Sequence, residues 1–538
     1  MKIKFYSLYL NVFLIVLVLF STFFFLDKSN FTAFEQNTLS FIPGLEFYNS
    51  KDNLDFFTKS IFVSPKKVIV SFIYYLGTDW YQTTYFLKIF LVIIKIPLIF
   101  LFCISIVNYW LFKSNIKVNI NILFLVFFGY LILLSDFYQP LQSNSNNGSP
   151  LGYGSIHYED DFHAMLLSFV LGSIGMIISF NKKKFFSLKT IIFFSLSTLF
   201  HPVMGICNFI LFSLFYFEKI KNFFEKEYII FFILTIVVPI FLLLLITDNQ
   251  SNITSKEFFD IYVTQRQPHH YIVSNKVFLI SKSSFITWVC LFAINSIIAY
   301  LFINKKIFNL FIKIFLFILC VPIIQFIFVE VLFLQSFVKL GITRFTTFFT
   351  LILFLQHSFI AIFFFKHLIF NKSKGRKKFN LDLYVITVVL VTLVCSIFVY
   401  NKTFVSPLKD QNFKKYIHMT DWIKKNLKNQ NSVFFTEDIN LLPSFLRIYG
   451  KKSIYHDENM PFTLSLLKEY SIRTKNRNII EESFASGNTD GILMFKNDIH
   501  YLIFDNKFAI ARRDYNVNLK IIFSNDYYIV YKNELSME

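Results

Sequence analysis

The sequence predicts an α-helical polytopic membrane protein of about eleven transmembrane helices, followed by a C-terminal extracytoplasmic α/β domain. Three observations predict it. Apolar residues make up 55% of the 538 residues and the mean hydropathy is strongly positive, which is more hydrophobic surface than a soluble chain of this length buries. The apolar residues gather into runs of spanning length, and from residue 401 the composition shifts to mixed charge with ordinary hydrophobic content. The formal charge of +19 would suggest nucleic acid in a soluble protein. Here the placement of the Lys and Arg reports topology, and no nucleic-acid partner is expected. The 76 Phe, beside abundant Ile, Lys and Asn, fit an AT-biased coding sequence and carry no functional weight. All five cysteines lie inside apolar runs at irregular spacing, which excludes a zinc-type cluster and argues against a disulfide framework.

The first apolar run, 8–26, follows Lys2 and Lys4 and lacks a small-residue cleavage site, so it reads as an uncleaved signal anchor. Further spans are expected at 84–112, 118–135, 161–180, 187–200, 202–217, 228–247, 285–303, 307–330, 344–370 and 382–400. Alternate connections form two sets. One holds the short basic stretches, among them Lys113/Lys117, Lys182–Lys184, Lys305/Lys306 and the 372–378 run, and the positive-inside rule places it in the cytoplasm. The other holds the longer polar loops 27–83, 136–160, 248–284 and 331–343 and the tail from 401, which therefore face outward.

The outward set carries nearly every residue suited to chemistry. Loop 248–284 contains Gln265, Arg266, Gln267, Pro268, His269, His270 and Tyr271, a compact cationic and hydrogen-bonding patch stiffened by proline and suited to a phosphate. The plain alternative is an interfacial loop meeting lipid headgroups. Arg344 opens a span after Gly341, Ile342 and Thr343, and its planar fork, like that of Arg266, suits a phosphate bidentately. Glu330 is the competing structural partner for Arg344 or Lys339. His201-Pro202 stands at an outer turn between two short spans, where a broken helix is tolerated only against protein or water; a helix end at the headgroups is the other reading.

In the first outer loop Glu35 or Asp52 could act as general base on an acceptor, although Asp52 also suits the cap of a surface helix. Lys88 and Lys95 share a helix face in the second span, and Lys95 lies deeper. Glu159, Asp160 and Asp161 could bind a divalent metal, yet three consecutive acids cannot all point one way on a regular element, and a solvated loop is the other reading. No metal ligands are assigned.

The tail reads as a small α/β domain. A helix is expected over Asn412 to Asn429, with Tyr416, Met419, Trp422, Ile423 and Leu427 on one stripe. Strands are expected at Ser432 to Thr436, Ser453 to Tyr455 and Tyr501 to Phe504, a helix at Phe462 to Arg473, and a hairpin pairing Leu519 to Phe523 with Tyr527 to Tyr531. No phosphate loop or nucleophile elbow is present, so the domain reads as an accessory or lid.

Four stretches carry a resemblance: the Glu35-Gln36-Asn37 to Asp52 loop, His201-Pro202-Val203-Met204-Gly205, Arg266-Gln267-Pro268-His269-His270-Tyr271, and Phe445-Leu446-Arg447 with Tyr455-His456-Asp457. Together they resemble the GT-C superfamily of membrane glycosyltransferases and, more narrowly, an uncharacterised bacterial family of multi-spanning membrane proteins close to it. The resemblance implies a catalytic acid in the first outward loop and a lipid-linked sugar donor, a polyprenyl-phosphate carrier used at the outer face of the bacterial inner membrane. The compact acid-x-acid pair of well-studied members is absent, and Glu35 and Asp52/Asp55 are its nearest equivalents. On this expectation Glu35 or Asp52 deprotonates the acceptor, while Arg266, His269, His270, Arg344 and His201 hold the phosphate. A transporter or flippase for an anionic or lipid-linked solute, and a non-catalytic envelope assembly protein, are the competing classes. Against the transporter stands the nearly uniform apolar character of the inward half of the spans.

Overall fold

The computed structural model describes residues 72, 98, 101–112, 164–181, 187–215, 226–246, 254–266, 271–274, 282–341, 344–345, 348–370, 411–428, 432–437, 442–448, 450, 452–456, 467–486, 490–495, 498–506 and 519–534. The expected spans at 8–26, 118–135 and 382–400 and the loop 136–160 lie outside these residues. What is described is mostly helical, with one small sheet near the C-terminus.

The helices follow the apolar runs. They are α1 (Leu101–Phe112), α2 (Ala164–Asn181), α3 (Leu188–Phe200), α4 (Pro202–Phe215) and α5, which passes from Lys226–Phe232 through a π turn at Ile233–Val237 to Val238–Ile246. After these come α6 (Ser255–Phe258, continuing as π helix through Phe259–Arg266), α7 (Lys282–Ile298, then a π turn to Ile303) and α8 (Lys305–Gln325, then a π turn over Phe326–Val331). Last are α9 (Gln335–Leu340) and α10 (Phe349–Phe370). Local chemistry sets the starts: the Ser187 hydroxyl accepts from Thr190 N at 3.3 Å and the Asn304 carbonyl oxygen from Ile307 N at 2.9 Å, each satisfying an orphan amide of a first turn. Among the described residues two helices, Lys226–Leu243 and Lys305–Val331, are long and apolar enough to cross a membrane.

Trp110 is fully buried at the centre of the bundle and meets Phe215, Phe311 and Phe359 edge-on at 5.4–6.1 Å. Buried polar groups join α2, α3 and α4. Ser197 donates to Ser168 O at 2.8 Å, and the Asn208 amide donates to Ser168 O and to Ser197 Oγ, both at 3.0 Å. The α5 π turn displaces carbonyls from their usual partners, and α3 satisfies two of them: Ser195 reaches Leu234 O at 2.9 Å and Thr198 reaches Thr235 O at 2.7 Å. Small residues make this approach feasible. A Cβ on Gly205 would stand 2.5 Å from the Thr198 Cα and 2.4 Å from its hydroxyl, so backbone has to move. Gly205→Ala is therefore expected to cost about 3 kcal/mol, at the upper end of overpacking effects, and thermal unfolding of the purified protein in detergent measures it.

The C-terminal sheet has the order β2-β1-β3-β5-β4, built from β1 (Val433–Thr436), β2 (Ser453–Ile454), β3 (Tyr501–Asp505), β4 (Leu519–Ser524) and β5 (Tyr528–Asn533). β1 runs parallel to β2 and β3, whereas β5 is antiparallel to β3 and β4. Alternation sends Phe434, Ile503 and Val530 to one face, under α11 (Gln411–Asn426) and α12 (Leu442–Ile448). Phe435, Leu502 and Ile529 go to the other, under α13 (Leu467–Ser486) and α14 (Asp490–Leu493). The helix expected at 462–473 is described from Leu467, and it runs on past Arg473 to Ser486. Ile480 and Phe484 extend its buried stripe past the polar Lys475–Asn478 stretch, and the i,i+4 pairs Glu469–Arg473 and Arg477–Glu481 brace it. Two short helices, α12 and α14, were not expected from the sequence.

Candidate functional site

The candidate site is built at one end of the helical bundle. His201 ends α3 and begins α4. Its backbone is extended, as a residue before proline requires, and Pro202 occupies the first helical position, where a missing N–H costs nothing. The imidazole caps the helix it precedes: His201 Nδ1 accepts from Met204 N at 3.2 Å.

Arg344 comes from the turn between α9 and α10, its amide donating to Gly341 O at 2.9 Å. Gly341 closes α9 in the left-handed region, with φ 51°, a conformation that favours glycine. The Arg344 side chain lies across it, its Cδ and Nε 3.6 Å from where a Cβ would stand. The outcome is a contact between residues 143 apart in sequence, with Arg344 Nη1 2.6 Å from His201 Nε2.

An arginine nitrogen only donates, so in this contact the Arg344 guanidinium donates to His201 Nε2 at 2.6 Å, the shorter and charge-assisted one of the two contacts made by the imidazole, and the pair ties the start of α4 to the turn that precedes α10.

Around this pair, α6 and the end of α8 complete the same end of the bundle. Phe258, Ile261 and Val263 of α6 cluster with Val329, with Val338 of α9, and with Leu467 and Tyr470 of α13. Ser471 of α13 donates to Gln265 Oε1 at 3.2 Å, and an exposed ion pair joins Lys468 to Glu257 at 3.5 Å. The α/β domain is thus seated on the segment that leads into the Arg-Gln-Pro-His-His cluster.

Of the residues expected to hold a phosphate, the structure brings His201 and Arg344 together. It places the backbone of Arg266 at the end of the π-helical stretch of α6, beside the cluster just described. His269 and His270, like Glu35 and Asp52, lie outside the described residues, as do Glu159–Asp161, Lys88 and Lys95. Among the described residues Glu330 makes no ion pair with Arg344, and the Lys339 side chain lies outside them; the Glu330 carboxylate accepts from the amides of Val273 and Ser274 and from the Ser274 hydroxyl. Gln325, one turn earlier, donates to Tyr271 O at 3.0 Å. Sequence reading missed both roles. Their partners lie 54–57 residues away, and no local pattern announces them. Among the described residues no group of three or more His, Cys, Asp or Glu could hold a metal ion. Neither a protein-family model nor a curated protein matches the chain.

Proposed function

We propose that the chain is a polytopic inner-membrane glycosyltransferase of GT-C type, of about eleven spans, taking its sugar from a polyprenyl-phosphate carrier at the outer face. The observation that carries this reading is the His201–Arg344 pair, a guanidinium and an imidazole brought together at one end of the bundle, with a third element, α6, bringing the Arg266 backbone to the same end. A phosphate monoanion or dianion presents several acceptor oxygens, which suit the planar fork of a guanidinium. The flanks of α5, α7 and α8 expose Phe232, Phe241, Leu301, Phe302 and Ile323, which suits hydrocarbon and would be penalised in water.

On this reading one carboxylate of the first outer loop, Glu35 or Asp52, takes the proton from an acceptor hydroxyl. The acceptor oxygen attacks the anomeric carbon, and the sugar–phosphate C–O bond breaks with its electron pair leaving on the carrier phosphate. Cationic side chains at the rim stabilise that leaving anion. A single displacement inverts the anomeric centre.

A flippase would use the same pair to bind without chemistry, and the fully buried Gln356 amide, held by Asn295 at 3.0 Å inside the bundle, favours that second reading. The discriminating experiment reconstitutes the purified protein in phosphatidylcholine nanodiscs and offers a polyprenyl-phosphate sugar with an envelope extract as acceptor. Sugar transfer and release of polyprenyl phosphate are the expected result. Retention of the phosphate lipid without transfer would remove the enzyme reading in favour of the flippase.

A further inference from the structure

Helix α13 carries apolar side chains on two different faces. Leu467, Tyr470, Ile480 and Phe484 are buried against α6 and the sheet. On the other side Lys468, Ile472, Lys475, Ile479 and Glu482, spaced i, i+4, i+7, i+11 and i+14, form one exposed stripe. Ile472 is 52% exposed and Ile479 38%, where a surface helix ordinarily shows polar residues. Met494, 71% exposed, directly follows α14, the short helix whose Gly491 lies so close to the stripe that a Cβ there would stand 3.0 Å from Ile479 Cγ2.

The height of the stripe in the molecule selects its partner. Helix α8 with its π turn, Lys305–Val331, is long and apolar enough to cross a membrane, and the basic Lys305 and Lys306 mark its cytoplasmic end. Its other end marks the outer limit of the hydrocarbon. Val329, in the last turn there, is buried in one cluster with Leu467 and Tyr470, the first turn of α13. Helix α13 thus starts where hydrocarbon gives way to headgroups, and the exposed Val331 and Leu332 carry the apolar surface of the span up to that level. The Ser471–Gln265 bond and the Lys468–Glu257 pair hold this first turn beside α6, while the sheet covers a face of α13 away from the stripe. Apolar side chains alternating with lysines on one helix face are the pattern of a helix lying in the bilayer interface, where the lysine stems run along apolar surface and the ammonium groups reach the phosphates.

We infer that the exposed stripe of α13, with Met494 beside it, is a docking surface for the phospholipid headgroup layer, so that the C-terminal domain lies on the bilayer instead of standing clear of it. Ile472, Ile479 and Met494 enter the boundary between headgroups and acyl chains, and Lys475 meets lipid phosphates, while Lys468 stays with Glu257. The inference rests on the membrane-spanning reading of the bundle. It is independent of the chemistry proposed for the outer end.

The test uses the full chain in phosphatidylcholine nanodiscs, its native cysteines replaced by alanine and a nitroxide carried by one new cysteine, Ile472→Cys, Ile479→Cys, Ile323→Cys or Lys425→Cys. Access of oxygen relative to a nickel chelate reports depth. Ile323, exposed on the flank of α8 and roughly 12 Å below Val331 along the helix, should lie in hydrocarbon, and Lys425 of α11, exposed on the opposite side of the sheet, in water. Labels at Ile472 and Ile479 should both lie about 5–10 Å into the headgroup–acyl boundary, at matching depth. If Ile323 reads as hydrocarbon while Ile472 and Ile479 read like Lys425, the domain stands clear of the membrane and the inference falls with the spanning bundle intact. A depth difference of roughly 10 Å between Ile472 and Ile479, the rise of the helix between them, would mean that α13 climbs away from the bilayer and overturns it equally. Shielding of both labels from oxygen and chelate alike would give the stripe to a second copy of the chain. If Ile323 itself reads as water, the spanning reading fails and the inference with it. The double variant Ile472→Glu/Ile479→Glu should move a label at Met494 from lipid to aqueous access while amide exchange of β1 and β3 keeps its wild-type rate, because both isoleucines lie outside the domain's cores. A label at Met494 that stays where it was would refute the docking surface.

Discussion

Arg344→Ala and His201→Asn are each expected to remove most of the preference for a phosphate lipid, about ten- to a hundredfold, and the double variant to lose little beyond either alone. The size follows from hydrogen bonds to a charged group, roughly 1.5–3 kcal/mol each. The non-additivity follows from geometry. The two nitrogens are hydrogen-bonded at 2.6 Å, so removing either side chain releases the other from its position, and residues acting on one ligand as a unit are strongly coupled. Asparagine is chosen at 201 because it is among the best helix caps and can still accept from Met204 N, keeping the start of α4 while deleting the Nε2 partner of Arg344. Arg344→Lys keeps the charge but not the planar fork, and should recover only part of the preference. Two independent, additive losses would mean that the pair does not share a ligand.

How far the sequence foretold this arrangement depends on the range over which its signals act. Apolar runs and helix-end chemistry are local, and the spans expected at 187–200 and 202–217 coincide with helices described over Leu188–Phe200 and Pro202–Phe215, with His201 at the break. Short apolar runs bounded by turn residues located every strand of the sheet, because both faces of the central strands are buried and the turns between them are strongly marked. The choice of His201 and Arg344 came from residue type and loop membership. That their side chains meet depends on how α3, α4 and α10 pack, which no spacing encodes. Glu330 illustrates the limit in the other direction. A carboxylate fourteen residues before an arginine suggests an ion pair, yet the strong pull of two neighbouring backbone amides, brought close only by the fold, claims it. The seating of α13 on α6 was equally hidden, and it changes what domain removal would report. Truncating the tail would strip Leu467 and Tyr470 from the cluster that supports the Arg266 helix, so loss of activity in a truncated chain would not mark the domain as an adaptor.

The C-terminal domain is expected to lose stability as the pH falls below about 6.5, by roughly 1.4 kcal/mol per pH unit at most, and His456 is the reason. The ring sits at the end of β2, 4% exposed, packed against Tyr470 and bonded through Nε2 to the Thr474 hydroxyl at 3.1 Å. Burial, and then the positive charges of Arg477, Arg473 and Arg447, push its pKa down from 6.5 to about 3. Between those two values the unfolded chain carries a proton that the native domain lacks. Stability is therefore full above pH 6.5 and drains as the pH drops toward 3. Glu437 works in the opposite sense: burial, with Glu481 and Asp505 nearby, raises its carboxyl above 4.5, so folding favours its protonated form and recovers part of the loss at the acid end. Amide exchange of the β1 and β3 strands in the intact protein, followed from pH 7.5 to 4.5 after correction for intrinsic rates, reads the effect at the sheet itself. His456→Gln should flatten the dependence, because no group at that position then titrates. An unchanged slope in that variant would place the acid sensitivity elsewhere in the domain. The arginine cluster would then leave the imidazole proton where free solution puts it.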